Sequence, residues 1–366
     1  MKMVCQSKDL FEAVSNVSYA ISSKSNIPSL EGVLLKIKKD SLFLAGSDLE
    51  ISITCSIEVK SDEEMDIVLN AKLFLEMLRK LPQEYVTIEI DERLMTFIKS
   101  GDVEYTLVGI SAAEYPEIPF INGGASISMP GNLLRDMVKQ TIFAVAQTDA
   151  RPIYKGTLFD IKESSITLVS VDGVRIAMRS EQISCNEEIS FVVPGKSLHQ
   201  VIKLIDDDSV VSVAVGKSHI IFEVGGNAVI SRLLEGDFLD YRAAIPTGES
   251  ATVTVSTRAM IEAVERVSLL SSDKLGSPVR CLFDNGSIKL ACANTLGKAY
   301  DRLECEMTGE KVEIGFNHRF LLEALRAAEC DEVKILLNGN LSPLKIIPVE
   351  GDSFLFLILP IRIKNE

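Results

Sequence analysis

The 366-residue chain has no tryptophan, three histidines and seven scattered cysteines, none of them in a Cys-x-x-Cys pair. An odd number of dispersed thiols suits neither a disulfide framework nor a zinc site; it points to buried cysteines in a reducing compartment. The opening MKMVCQSKDLFEAVSN contains no apolar stretch of the kind a secretory leader needs, so a cytoplasmic protein is expected. The longest apolar run, residues 354–360, is far too short to span a bilayer and reads as a buried strand. Low-complexity tracts and long linkers are absent. Cations are the minority charge, 38 Lys and Arg against 52 Asp and Glu, for a net charge of −14. The average surface therefore repels nucleic acid, and any such role must rest on where the cations are placed.

What the chain does have is repetition. Residues 156–179 read as two strands and a turn, and the same frame occurs twice more. Gly32-Val33-Leu34-Leu35 and Cys281-Leu282-Phe283 match Gly156-Thr157-Leu158-Phe159. Ser41-Leu42-Phe43-Leu44, Ser165-Ile166-Thr167-Leu168 and Ser287-Ile288-Lys289-Leu290 align, and Asp48, Asp172 and Asn294 close the copies. The spacing, a little over 120 residues, is too long for a solenoid and matches a domain written three times. With glycine- and proline-marked joints at 123–124 and 246–248, the predicted domains are 1–123, 124–246 and 247–366.

Each third predicts a β-rich unit with two helices. The first helices, from about 8, 131 and 257, place Leu10, Phe11, Val14 and Ile21, then Leu133, Leu134 and Met137, then Met260, Ile261 and Val264, toward a core. A polar loop with a cation follows each: Lys24, Arg151, Lys274. The second helices, over 71–81, 195–205 and 318–328, align Lys72, Lys196 and Arg319, and seven residues later Arg79, Lys203 and Arg326. That spacing puts both cations on one helix face, opposite Phe74, Leu78, Leu198, Ile202, Leu321 and Leu325. For a single helix this is an ordinary solvated face, with Glu76 and Glu323 making local ion pairs. Three copies in an acidic chain argue for a basic surface. The six helical stretches carry five surplus cations, which leaves −19 on the rest. A basic, helix-lined surface suits a polyanion gripped by its backbone without sequence reading. With no tryptophan and few aromatics on these helices, duplex DNA fits better than stacked single strands.

Helices lining a hole at about 9 Å spacing give a ring of axes roughly 17 Å across for six and about 34 Å for twelve. A duplex is roughly 20 Å wide, so one chain cannot enclose it and two can. A ring therefore predicts a homodimer.

Across its whole length the chain resembles the bacterial sliding clamp, the β subunit of the replicative DNA polymerase. The likeness rests on Pro28 with Gly32-Val33-Leu34-Leu35, Gly46-Ser47-Asp48-Leu49-Glu50, Ala112-Ala113-Glu114-Tyr115-Pro116 and Asp172-Gly173-Val174-Arg175-Ile176-Ala177. It continues in Leu234-Glu235-Gly236 with Asp240-Tyr241-Arg242, Glu313-Ile314-Gly315-Phe316-Asn317, and Leu359-Pro360-Ile361-Arg362-Ile363. The resemblance implies an α+β ring of triplicated two-helix domains, assembled head to tail from two copies, with helices inside and sheets outside. It implies no catalysis, no cofactor and no metal. Implied partners are duplex DNA, a second copy, the polymerase catalytic subunit, an ATP-driven clamp loader and other proteins bearing clamp-binding peptides; no membrane is implied.

The resemblance assigns DNA-facing cations at Lys24, Lys72, Arg151 and Lys196, to which the stripe adds Arg79, Lys203, Arg319 and Arg326. It assigns a peptide groove to Tyr154, Val171, Gly173, Val174, Arg175, Ile176, Leu239, Ile358, Pro360, Ile361 and Arg362, an apolar slot suited to a short peptide with a glutamine and bulky apolar residues. The dimer contact falls on Tyr105 and Leu107 against Leu269 and Leu270. Val174, Leu239 and Ala243 depart from the residue types common in the family, as does the extension 364–366, which bears on partner preference and not on fold.

Two other function classes are weighed: a metal-dependent phosphoesterase using Asp48, Asp172 or Asp206-Asp207-Asp208, and a triplicated peptide-binding scaffold that ignores DNA. The aspartate run has no histidine beside it. His199, His219 and His318 lie on different elements, and Cys185 and Cys281 have no activating partner in sequence. Gly225-Gly226-Asn227 reads as a hairpin turn. Gly195-Lys196-Ser197 resembles the end of a Walker A motif but lacks its first glycine.

Overall fold

The computed structural model describes residues 1–120, 124–148, 150–185, 187–271 and 278–363. Gly123, Lys274 and the tail extension 364–366 lie outside the described residues. Among those described, seven α-helices occur: α1 Ser7–Ser18, α2 Ala71–Leu78, α3 Gly131–Ile142, α4 Gly195–Val201, α5 Tyr241–Ala244, α6 Thr257–Ser268 and α7 His318–Ala328.

The helical repetition is visible in burial. Leu10, Leu134 and Met260 occupy the same turn of α1, α3 and α6, and all three are fully buried. One turn on, Val14, Val138 and Val264 are again fully buried. Phe11, Leu133, Ile21 and Ile261 are only half-buried, at the margins of the apolar stripe. Thr141 of α3 stands where α1 and α6 carry Val17 and Val267; its hydroxyl donates to the Met137 carbonyl at 2.9 Å, which satisfies a polar group in an apolar site.

The repeated hairpins keep one register. Ile37 faces Leu42, Ile161 faces Ile166, and Phe283 faces Ile288. The closing side chains do the same work in each copy. Asp48 Oδ1 accepts from the amides of Glu50 and Ile51 at 3.0 and 2.9 Å. Asp172 Oδ1 accepts from Val174 and Arg175 at 3.0 and 3.1 Å, and Asn294 Oδ1 from Leu296 and Gly297 at 2.7 and 3.1 Å. Only a short side-chain acceptor can close a turn in this way, which explains Asp or Asn at all three places.

The chain condenses into two compact units: one of residues 1–134 and 196–233, the other of 135–195 and 234–366. The middle third of the sequence is thus shared between them. In the first unit, strands Lys60–Ser61, Lys2–Gln6, Tyr85–Ile90, Met95–Ser100 and Val103–Val108 form one antiparallel sheet in that order. Along Tyr85–Ile90 the residues alternate, with Val86, Ile88 and Ile90 buried. The second sheet has nine strands. Its seam joins Ile51–Glu58 to Asn227–Arg232, with Cys55 opposite Asn227 and Ile51 opposite Ser231. Helix α1 packs on this sheet so closely that a Cβ on Gly46 would lie 2.2 Å from the Val17 carbonyl oxygen; only glycine fits there.

The second unit repeats the plan. Its nine-stranded sheet has its own seam, where Arg175–Gln182 pairs with Phe354–Ile358, Arg175 opposite Ile358 and Arg179 opposite Phe354. A four-stranded sheet runs Gly297–Glu304, Ser287–Asn294, Val279–Asp284, Val312–Phe316. Helices α6 and α7 pack against each other and share one core with these strands, centred on Met260, Val264, Phe283, Phe316, Leu321 and Leu325.

Candidate functional site

The second-helix positions split by face as the spacing predicts. Phe74, Leu78, Leu198, Leu321 and Leu325 are buried, and Ile202 is half-buried. Lys72, Arg79, Lys196, Lys203, Arg319 and Arg326 are exposed. Helices α2 and α4 end earlier than the periodicity suggests, so Arg79 and Lys203 sit in the turn just after the last helical residue. Unpaired carbonyls give that end a partial negative charge, and a cation there is stabilised. The Arg79 guanidinium lies 5.9 Å from the ring centre of Phe11 in α1, and Lys203 Nζ lies 4.8 Å from that of Tyr19, just after α1. Lys24 is exposed as well.

Some stripe cations already have carboxylate partners. Lys196 pairs with Asp48, and Arg326 Nη2 lies 2.6 Å from Glu265 on α6. The Arg326 pair is exposed at both ends, is worth about 0–1 kcal/mol and can exchange for a phosphate at little cost; in the other, Lys196 is exposed and Asp48 is nearly buried. Glu323 reaches Arg175, which stands 148 residues earlier in the chain. Arg151 Nη1 donates to Tyr154 Oη at 3.0 Å, and the guanidinium lies over the Tyr154 ring at 5.5 Å, at the rim of a groove.

That groove, of about 450 Å³, lies within the second unit. Seven of the eleven expected residues line it: Tyr154, Val171, Gly173, Val174, Arg175, Ile176 and Leu239. Val174 is 41% exposed, at the tip of the Asp172 turn. Gly173 beside it has φ +95°, a conformation that disfavours any other residue. One wall is the segment around α5, held down by Asp160. Tyr241 Oη donates to Asp160 Oδ2 at 2.8 Å and Arg242 Nη2 at 3.1 Å. Burial, and then the Asp160 carboxylate, push the Tyr241 phenol above its ordinary pKa, so it stays a donor. Phe238 meets Tyr154 edge-on at 5.6 Å.

The other four expected residues are not among those lining the cavity. Ile358 is 1% exposed and belongs to the core. Its neighbours Leu357 and Leu359 line the groove instead, because side chains alternate along an extended chain. Pro360, Ile361 and Arg362 run on past the groove; the Ile361 amide donates to the Gly315 carbonyl at 2.8 Å, anchoring the chain end. Leu357 and Leu359 could have been found from that alternation. Ala146, Thr148, Ala150 and Pro343 also line the groove from loops, where no periodic signal exists.

Comparison with known proteins matches this arrangement end to end. Models of the DNA polymerase III beta subunit match residues 1–119 (N-terminal domain), 128–240 (central domain) and 242–362 (C-terminal domain). The chain belongs to this family, the bacterial sliding clamps. It is 31% identical to the beta sliding clamp of Bacillus subtilis over 376 residues, covering 99% of this chain and 100% of that one. A crystal structure of the DNA polymerase sliding clamp from Bacillus subtilis has a TM-score of 0.95 at 30% identity, covering 100% of both chains. A crystal structure of a putative DNA polymerase III beta subunit from Eubacterium rectale has a TM-score of 0.94 at 30% identity, covering 99% of both.

Within the sliding-clamp fold, the expected dimer residues fall at strand edges and a helix end. Val103–Val108 is the last strand of the five-stranded sheet, and Gly297–Glu304 the last of the four-stranded sheet. Leu269, just after α6, is 85% exposed. Leu107 and Leu270 turn toward their own cores and Tyr105 is half-buried. Leu296 and Tyr300 are 83% and 65% exposed.

The motifs set aside from sequence have structural roles. Asp206, Asp207 and Asp208 are exposed, and among the described residues no three His, Cys, Asp or Glu side chains form a metal-binding group. Cys185 and Cys281 are buried, and burial pushes the Cys281 thiol up to about 12, far from nucleophilic. Gly225 and Gly226, both at positive φ, form a two-residue hairpin loop.

Proposed function

We propose that two copies of this chain close head to tail into a ring of six repeat domains, bounded at 1–123, 124–246 and 247–366 in each, that encircles duplex DNA and slides along it. It acts as a non-catalytic processivity subunit: the groove holds a peptide of the replicative polymerase, and a clamp loader opens the ring. Other proteins with similar peptides use the same groove, and the work is done in the cytoplasm.

The observation that carries this reading is the threefold repetition of an exposed cation pair on the second helices of a strongly acidic chain. Lys24, Lys72, Arg79, Arg151, Lys196, Lys203, Arg319 and Arg326 are the proposed DNA-facing charges. They meet the phosphates loosely, which lets the ring move and makes retention topological. Self-association is supported by the two sheet edges. Val103–Val108 and Gly297–Glu304 each present an unpaired backbone edge among the described residues, a template for pairing with another chain.

The test is retention after loading by the clamp loader and ATP. The ring should stay on nicked circular duplex during gel filtration and run off once the circle is cut. Equal retention on circular and linear DNA would overturn the proposal, as would a protomer-sized mass by light scattering.

A further inference from the structure

Each of the three turn-closing side chains has a second polar atom, and each uses it as a tether. Asp48 Oδ2 holds Lys196, and Asp172 Oδ2 accepts from Arg175 Nε at 2.7 Å. Both partners are cations, which a carboxylate suits. In the third repeat the partner is a carbonyl: Asn294 Nδ2 donates to the Leu270 carbonyl at 2.6 Å, while Oδ1 closes the turn. A carboxylate there would set oxygen against oxygen, so this tie explains why the third repeat carries asparagine. It joins the chain just past the C-terminal end of α6 to the turn before Gly297–Glu304. One helical turn earlier, Arg266 Nε donates to Asp301 Oδ2 at 2.7 Å, so helix end and edge strand are joined twice. Leu269 and Leu296, next to the tied residues on either side, are almost fully exposed. Two exposed leucines held to one turn beside an open sheet edge mark a surface for another chain to cover.

We propose that Asn294 is a positioning residue for self-association: by tying Leu270 to the 294–297 turn it presets Leu269 and Leu296 as one apolar seat beside the edge of Gly297–Glu304, and the occupant of that seat is the Val103–Val108 edge of a second copy. The inference rests on the reading of the chain as a dimer and names the group that prepares its surface. Val103–Val108 suits the seat because it too has an unpaired backbone edge among the described residues. Its sheet also shows Val108, and Phe97 of the neighbouring strand, exposed on one face. Without the tie, the α6 end and the turn move independently. Docking then has to impose an order that the parent protein already has, and that ordering cost weakens association.

The test is the dimer dissociation constant of the full-length protein, measured by sedimentation velocity over a dilution series for the parent, Asn294→Asp, Leu269→Ala and the two combined. Asp48 and Asp172 close the equivalent turns, so Asn294→Asp keeps the turn and loses the donated bond. It should weaken each interface by about 3- to 10-fold, the scale of one lost hydrogen bond, and a ring of two interfaces by about 10- to 100-fold. In the Leu269→Ala background that loss should shrink by about 3-fold or more, since a side chain that Asn294 positions is gone. An unchanged constant in Asn294→Asp overturns the inference. So does the same loss with and without Leu269, which is what a purely structural role gives. Asn294→Ser, whose hydroxyl closes such a turn but is too short to reach Leu270, repeats the measurement without added charge. It should shift the constant in the same direction, and it decides the question if the aspartate variant does not fold. If the parent protein is a monomer at every concentration, the dimer reading itself falls, an outcome distinct from an unmoved constant.

Discussion

Asp48→Asn is expected to strengthen DNA binding by removing a charge that the DNA never touches. Asp48 has two tasks: Oδ1 closes a turn by accepting two backbone amides at 3.0 and 2.9 Å, and Oδ2 holds Lys196. Asparagine can perform the first, as Asn294 does at the equivalent turn, but not the second. The Lys196 side chain is 54% exposed, so the lost pair is worth about 0–1 kcal/mol, and the melting temperature should fall by no more than a few degrees. The released ammonium is then free to neutralise a phosphate. Each such contact steepens the dependence of log K on log salt by about 0.9, or about 1.8 for the two copies of a ring. Anisotropy of a labelled duplex titrated across a salt series measures this slope directly. Adding Lys196→Ala to Asp48→Asn should flatten it again by the same amount. If Asp48→Asn stays folded and leaves the slope unchanged or shallower, Lys196 does not face the phosphates, and the assignment of the stripe as a DNA surface loses its middle member.

The same structure sets the outcome of further substitutions. Ile358→Ala should cost about 2–5 kcal/mol in denaturant unfolding, because a fully buried side chain is lost. Leu359→Ala, one residue on and 40% exposed, should leave stability nearly untouched and weaken peptide binding. Tyr241→Phe removes a hydrogen bond to buried Asp160 and should cost about 1–3 kcal/mol, with weaker binding to the groove whose wall it holds. Finally, burial raises the thiols of Cys5, Cys55 and Cys281 to about 12. The unfolded chain ionises them first, so their contribution is complete below the ordinary thiol range. It is lost as pH climbs from about 9 toward 12, by up to roughly 1.4 kcal/mol per thiol per pH unit. Chemical unfolding across that range should show the decline, and Cys281→Ala should make it shallower.

Much of the candidate site was legible in the amino-acid sequence. The cation stripe could be read because helical spacing and threefold repetition are linear properties; Lys72 and Arg79 belong to one face whatever the helix packs on. The turn at Asp48, Asp172 and Asn294 was equally legible, since a short acceptor side chain acts on amides two and three residues away. The groove was only half so. Its Asp172–Ile176 rim is local, but Leu357, Leu359 and Pro343 arrive from some 180 residues further along; alternation puts Leu357 and Leu359 on one side of the chain without saying that they meet the rim. The choice between Ile358 and its neighbours depends on which face of a strand the core takes.

The amino-acid sequence on its own determined that one two-helix, β-rich unit is repeated three times and that positive charge gathers on its second helices, because periodicity and charge are written locally. Only the tertiary structure decided that the middle repeat is shared between two compact units through the seams at Ile51–Glu58 with Asn227–Arg232 and Arg175–Gln182 with Phe354–Ile358. It also decided that Glu323 reaches Arg175, 148 residues earlier in the chain. Strand partners and ion-pair partners are chosen by the backbone edges and charges that folding brings within reach, and separation along the chain has no influence on that choice.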